Sequence, residues 1–172
     1  MEVLRYPVGK FQPPTSFHED RIEQWIQDIT NLPVVLRKQL DKTTEQQLDT
    51  PYRDGGWTVR QVVHHLADSH MNCFVRFKLA LTEYSPIVKT YDEVAWAQMP
   101  DSNGDLTPSL QIIDGIHTRW TILLQSMNRE DYNKTISHPE IGDITLYQLL
   151  SLYSWHSRHH SAHIELGLNE HK

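Results

Sequence analysis

The sequence predicts an all-α protein, a four-helix bundle whose helices run up-down-down-up. Three observations predict it. Apolar residues recur at helical spacing through most of the 172 residues. Thr-x-x-Gln boxes open two of the apolar-periodic segments. The longest interruption falls between the second and third of four such segments, where it can carry the chain across one end of a bundle. The length suits one domain, residues 1–172, that buries roughly 70% of its unfolded surface.

The first helix is predicted from Phe17 to about Leu40, on the spacing of Ile22, Trp25, Ile26, Ile29, Leu32, Val35, Leu36 and Leu40, with a kink or fresh start at Pro33. Asp49 to Gly56 reads as a loop ending in Gly55-Gly56. Thr58 with Gln61 caps the second helix, which runs to about Thr82. The long crossover, Glu83 to Leu106, contains Pro86, Pro100 and Gly104, with room for a helical turn at Asp92–Ala97. Thr107-Pro108 reads as N-cap and first position of the third helix, reaching about Asn128. Lys134 to Ile144 has the turn residues of a small hairpin. Thr145 with Gln148 caps the fourth helix, and Gly167 reads as the residue just past its end.

Composition excludes several function classes. Sixteen basic against 22 acidic residues give a net charge of −6 without a basic run, which argues against nucleic acid or an anionic membrane as partner. No apolar run approaches the roughly 20 residues that span a bilayer. Met1 to Pro14 lacks the apolar stretch of a signal peptide, so a cytoplasmic location is expected. The single cysteine, Cys73, reads as a small buried hydrophobe that can form neither an internal disulfide nor a thiolate zinc site.

Histidine carries the chemical signal, with 11 residues. On the fourth helix His156, His159, His160 and His163 fall within an arc of about 100°. His156 and His160 lie in the middle of the apolar stripe of Leu146, Leu149, Leu152, Tyr153 and Ile164, with His163 slightly to one side and His159 on the flank. Two inward imidazoles at i, i+4 can reach a single divalent ion. A third donor must come from another helix. On the second helix, faced by Val59, Val62, Leu66, Cys73 and Phe77, His64 points away, His65 lies at the edge and His70 lies inside. Periodicity leaves His65 and His70 both open. Height matters too: His65 lies about 10 Å from the start of its helix and His160 about 9 Å from the end of its own, so the two levels coincide if the helices are antiparallel.

His18, His117 and His171 read as surface or boundary residues, and His138 stays unassigned. Trp25, Trp57, Trp120 and Trp155 read as core or pocket wall. Asp68, one turn after His65, suits either an orienting role beside a metal ligand or a solvated helix face.

The strings GGWTVRQVVHHLADSHMN (Gly55–Asn72), LALTEYSPIVKTYDEVAW (Leu79–Trp96), HPEIGDITLYQL (His138–Leu149) and YSWHSRHHSAHI (Tyr153–Ile164) resemble the YfiT group of the DinB superfamily of small bacterial metalloproteins. The resemblance implies a four-helix bundle, a homodimer, and one divalent metal per subunit held by three histidines. It assigns the first ligand to His65, the histidine before Leu-Ala-Asp, and the pair to His156 and His160. Zinc is the usual inference, and nickel suits three imidazoles as readily.

Three imidazoles leave a coordination position open, as in a catalytic zinc site, where water becomes a nucleophile near neutral pH. The expected activity is a metal-dependent, hydrolase-like reaction on a small-molecule substrate. The main rival is S-transfer from a low-molecular-weight thiol, since some relatives are regarded as bacillithiol transferases; a non-catalytic metal-binding stress protein is a third reading. Neither ligand segment supplies the glutamate of an HExxH motif, so Asp68 and Glu140 are the candidate general bases.

Overall fold

A computed structural model describes residues 2–169, so the expectation for His171 lies outside the described residues. Four long helices dominate: α2 (Glu19–Leu40), α4 (Val59–Thr82), α6 (Thr107–Ser126) and α7 (Leu146–Asn169), with short helical turns α1 (Glu2–Arg5), α3 (Glu45–Leu48) and α5 (Glu93–Trp96) between them. An antiparallel hairpin, β1 (Thr135–His138) with β2 (Gly142–Thr145), precedes α7 and pairs Ile136 with Ile144. No helix among the described residues is long and apolar enough to cross a membrane.

Side-chain contacts give the helix directions. Pairs between α2 and α7 advance together: the His18 N–H, just before α2, donates to the Tyr147 hydroxyl at 2.8 Å, Ser154 donates to Asp28 at 2.6 Å, and Ser161 meets Gln39 at 3.0 Å. Pairs between α4 and α6 also advance together, through His64 with Ser109, His70 with His117 and Phe77 with Trp120. Between α4 and α7 the order reverses, from Val59 against Gly167 to Ser69 against Tyr153. It reverses again between α2 and α6, where Thr30 meets Thr121 and Arg37 pairs with Asp114. The bundle is therefore up-down-down-up, with residues 83–106 crossing between α4 and α6.

Both expected capping boxes are formed. The Gln61 N–H donates to the Thr58 hydroxyl at 3.1 Å and the Gln148 N–H to the Thr145 hydroxyl at 3.1 Å. A third, Thr44 with Gln47, starts α3. The crossover is tied to α4 by Arg60, whose buried guanidinium pairs with Asp49 at 2.7 Å and Glu45 at 2.5 Å and donates to the Gly104 carbonyl at 3.1 Å.

Three boundary expectations need correction. Pro33 neither ends nor restarts α2, which is one continuous helix. Thr107 is the first residue of α6, not its N-cap, and Asp105 accepts its N–H at 2.6 Å. Gly167 does not stop α7: it is a buried interior residue whose missing Cβ admits Val59, which would stand only 2.5 Å from a β-carbon there. The glycine serves close helix packing and not termination.

The apolar core comes in two clusters. One holds Trp25, Ile29, Phe77, Trp120, Leu146 and Leu150; the other holds Leu36, Val62, Leu66, Ile113 and Ile164. On α4, α6 and α7 the change from one cluster to the other falls at histidines: His70, His117, and the run from His156 to His163.

Candidate metal centre

In that polar layer α4 and α7 bring His65, His156 and His160 together. One nitrogen from each ring lies within 4.8 Å of the others, and the Nε2 atoms of His65 and His156 stand 3.2 Å apart. The antiparallel α4–α7 pairing brings the two levels into register, and the i, i+4 spacing puts His156 and His160 on one side of α7.

Burial keeps these rings neutral. Desolvation, followed by the nearby His163, pushes His65 down to about 4. Desolvation, with neighbouring imidazoles second, also holds His156 and His160 well below the ordinary value. Neutral imidazole is the form that offers a lone pair to a metal. Three such rings converging without a carboxylate or thiolate among them suit a first-row divalent ion with an open position.

A cavity of about 610 Å³ opens beside the three rings. Trp57 and Trp155 wall it, as expected, while Trp25 and Trp120 are core. Arg5, Arg53 and Arg76 line it against one carboxylate, Glu93. Glu93 stands at the exposed rim, where desolvation raises its carboxyl above the ordinary range and Arg76 opposes the rise.

The two proposed bases fare differently. Asp68 is half-buried but does not line the cavity; desolvation, then Asp101, raises its carboxyl. Glu140 is exposed and borders an adjoining hollow of about 260 Å³ shared with Arg76, Glu93 and His138. His138 lines both spaces, and its Nδ1 accepts the Glu140 N–H at 3.3 Å. Cys73 is fully buried, and desolvation raises its thiol well above the ordinary value, which rules it out as a nucleophile.

Most of the other histidines among the described residues are buried. His117 is buried, not a boundary residue: its Nδ1–H donates to the Ile29 carbonyl at 2.5 Å and its Nε2 meets His70 Nδ1 at 2.9 Å. His64, which points away from the α4–α7 face, is also buried, because α6 and the crossover cover it through Ser109 and the Gly104 carbonyl. His70 lies wholly inside, bridging His117 to His156. His159 is buried with Nδ1 unpartnered among the described residues, and Trp155 stacks on it at 4.3 Å. The sequence carried a signal for His117, since Ile113, His117, Trp120 and Leu124 share one face of α6. Glu93 carried none: it opens α5, a single helical turn within the crossover, and no local pattern points it to the cavity.

Comparison with known proteins places this architecture in a known superfamily of four-helix bundles. The chain belongs to the DinB superfamily, whose profile matches residues 28–164. A Bacillus cereus (strain B4264) protein named as a candidate metal-dependent hydrolase is 52% identical over 164 residues, 95% of each chain. A Bacillus thuringiensis subsp. konkukian protein of the same description is 51% identical over the same share. Among solved structures, YfiT from Bacillus subtilis, described as a candidate metal-dependent hydrolase with an unusual four-helix bundle topology, matches with a TM-score of 0.91 at 48% identity over 95% of each chain.

Proposed function

We propose that the chain is a metal-dependent hydrolase acting on a small anionic substrate, with His65, His156 and His160 as the ligands of one divalent ion, zinc or nickel. The observation that carries this reading is the convergence of three neutral imidazoles, those of His65 and His160 buried and that of His156 half-buried, beside a cavity lined by three arginines. The relatives' descriptions as metal-dependent hydrolases support it. When bound, such an ion supplies a Lewis acid and a water of lowered pKa at neutral pH.

The chain's own residues supply the rest. Arg53 and Arg76 offer charge-assisted hydrogen bonds that hold an anionic substrate group. Glu93, the one carboxylate among the described residues that lines the cavity, is the residue this reading favours over Asp68 and Glu140 to take and return a proton, and its raised carboxyl supports that role. Trp57, Trp155 and Tyr153 wall the cavity and limit bulk water around the reacting group.

The same arginines also suit an anionic thiol, so the rival S-transfer reaction is tested alongside. Chelator-stripped and zinc- or nickel-loaded protein is offered carboxylate-bearing esters and amides, with and without a low-molecular-weight thiol and an alkylating electrophile. Metal-dependent cleavage without thiol, lost in Glu93→Gln, is the expected result. Turnover only when thiol and electrophile are both present would replace hydrolysis with transfer. Bound metal with neither activity would leave a metal-binding protein without turnover.

A further inference from the structure

Hydrogen-bond chains behind the metal centre carry an inference about which atoms of it face the metal. A backbone carbonyl can only accept, so each chain has a fixed direction at its anchored end. The first begins on α2. Pro33 has no N–H, so the Ile29 carbonyl four residues earlier lacks its helical donor. His117 Nδ1–H fills that place at 2.5 Å. Neutral His117 then has a bare Nε2, which accepts from His70 Nδ1–H at 2.9 Å. That leaves His70 Nε2 bare, and it accepts from His156 Nδ1–H at 3.1 Å. The only remaining nitrogen of His156 is a bare Nε2, the atom 3.2 Å from His65 Nε2.

The second chain starts on the N-terminal arm. The Arg5 carbonyl accepts from His163 Nε2–H at 3.3 Å, which leaves His163 Nδ1 bare to accept from His160 Nδ1–H at 3.3 Å. His160 is thereby left with its Nε2 bare as well. Tyr52, stacked on His163 at 3.8 Å with an interplanar angle of 17°, holds the plane of that ring.

We propose that His117 and His70, anchored on the carbonyl that Pro33 frees, and His163, anchored on Arg5, are positioning residues that fix the tautomers of His156 and His160 so that both present a bare Nε2 to the metal. This rests on the ligand set proposed above. Reversing any one link would put an N–H where the site needs a lone pair, or face two donors against each other inside the core. Partners of this kind behind a ligating histidine set its orientation and basicity, and losing one weakens metal affinity by about 10- to 100-fold.

The test is long-range ¹H–¹⁵N NMR of the imidazoles at pH 7.5, on the full chain, metal-free and zinc-loaded, together with zinc titrations. Protons on Nδ1 of His117 and His70 and on Nε2 of His163 are expected in both states. On loading, His156 and His160 should be Nδ1–H tautomers, with one zinc per chain. His117→Phe and His163→Phe should each lose about 10- to 100-fold in zinc affinity, and the glutamine variants, which both donate and accept, should recover most of it. An Nε2–H tautomer at His117 or His70, or unchanged affinity in folded His117→Phe, would overturn the first chain. A second equivalent of zinc bound by His159, His160 and His163, whose ring nitrogens also lie within 4.8 Å of one another, would overturn the second, because a His160 that ligates at both nitrogens carries no Nδ1 proton. Wild-type protein that takes up no zinc while showing the expected tautomers would sink the proposed ligand set alone.

Discussion

The supports behind His156 and His160 differ in what they stand on. Behind His156, the imidazoles of α4 and α6 are sealed in the core and end on α2, a long helix fastened to α7 by Ser154–Asp28 and Gln39–Ser161. Behind His160, His163 is buried but ends on Arg5, in a four-residue helix whose residues are exposed or half-exposed. Trp155 adds one further tie to that arm, donating to the Gly9 carbonyl at 3.0 Å. If both rings ligate as proposed, the core orients one and the other depends on a segment that can undock at small cost, since exposed backbone with few buried contacts opens first.

The largest effect expected comes from removing a ligand itself. His65→Ala, His156→Ala and His160→Ala should each lower zinc affinity by more than about 100-fold, while His64→Ala, which empties a site bonded to Ser109, should leave it within about threefold. Isothermal titration measures all four. Full zinc occupancy in His156→Ala would break the comparison at its root.

Acid should distinguish the two supports next. Burial pushes His117 down to about 4 from an unfolded value near 6.5, so the unfolded chain binds the proton first. The metal-free protein should therefore be most stable above pH 6.5 and lose stability as pH falls toward 4. A ring held neutral throughout contributes a loss on the order of 3 kcal/mol. Burial also pushes His163 down to about 4, yet if the N-terminal arm undocks, as its exposure leads us to expect, the ring takes up a proton without global unfolding. Urea unfolding between pH 7.5 and 4 should show a flatter profile for His117→Phe than for His163→Phe. Equal profiles would mean the arm is held as firmly as the core.

Why part of this was legible in sequence, and part not, follows from the kinds of signal involved. Capping boxes are local, so Thr58 and Thr145 mark their helices without tertiary information. The i, i+4 pair His156 and His160 is equally local. The choice between His65 and His70 is not, because both face inward on α4 and only their neighbours on α6 and α7 separate them. Gly167 and Pro33 mislead for one reason: each reads locally as a helix breaker, and each owes its place to a contact with another helix. Glu93 becomes visible only once the crossover folds against the cavity.

Removing residues 1–10 should have a moderate effect. It deletes the Arg5 carbonyl and the Gly9 tie while leaving α2 intact. A loss of about tenfold in zinc affinity is expected, with the His156 tautomer unchanged and that of His160 exchanging between forms in the NMR spectrum. Loss of order at His156 as well would show that the two supports are not independent.

The smallest effect, and the most specific, is expected from Pro33→Ala. A proline merely tolerated inside α2 would make this substitution strongly stabilising, since an interior proline costs a helix about 3 kcal/mol. Here the Ile29 carbonyl is already satisfied by His117, and the new N–H at position 33 would compete for the same oxygen. The gain should shrink to within about 1 kcal/mol, the amount typical of a net hydrogen bond. His117 Nδ1–H should weaken and its proton resonance shift upfield, with a few-fold loss of zinc affinity transmitted through His70. His160, supported from Arg5, should keep its tautomer. A gain near 3 kcal/mol with an unmoved His117 proton would mean that the carbonyl accommodates both donors, and that Pro33 has no part in orienting His156.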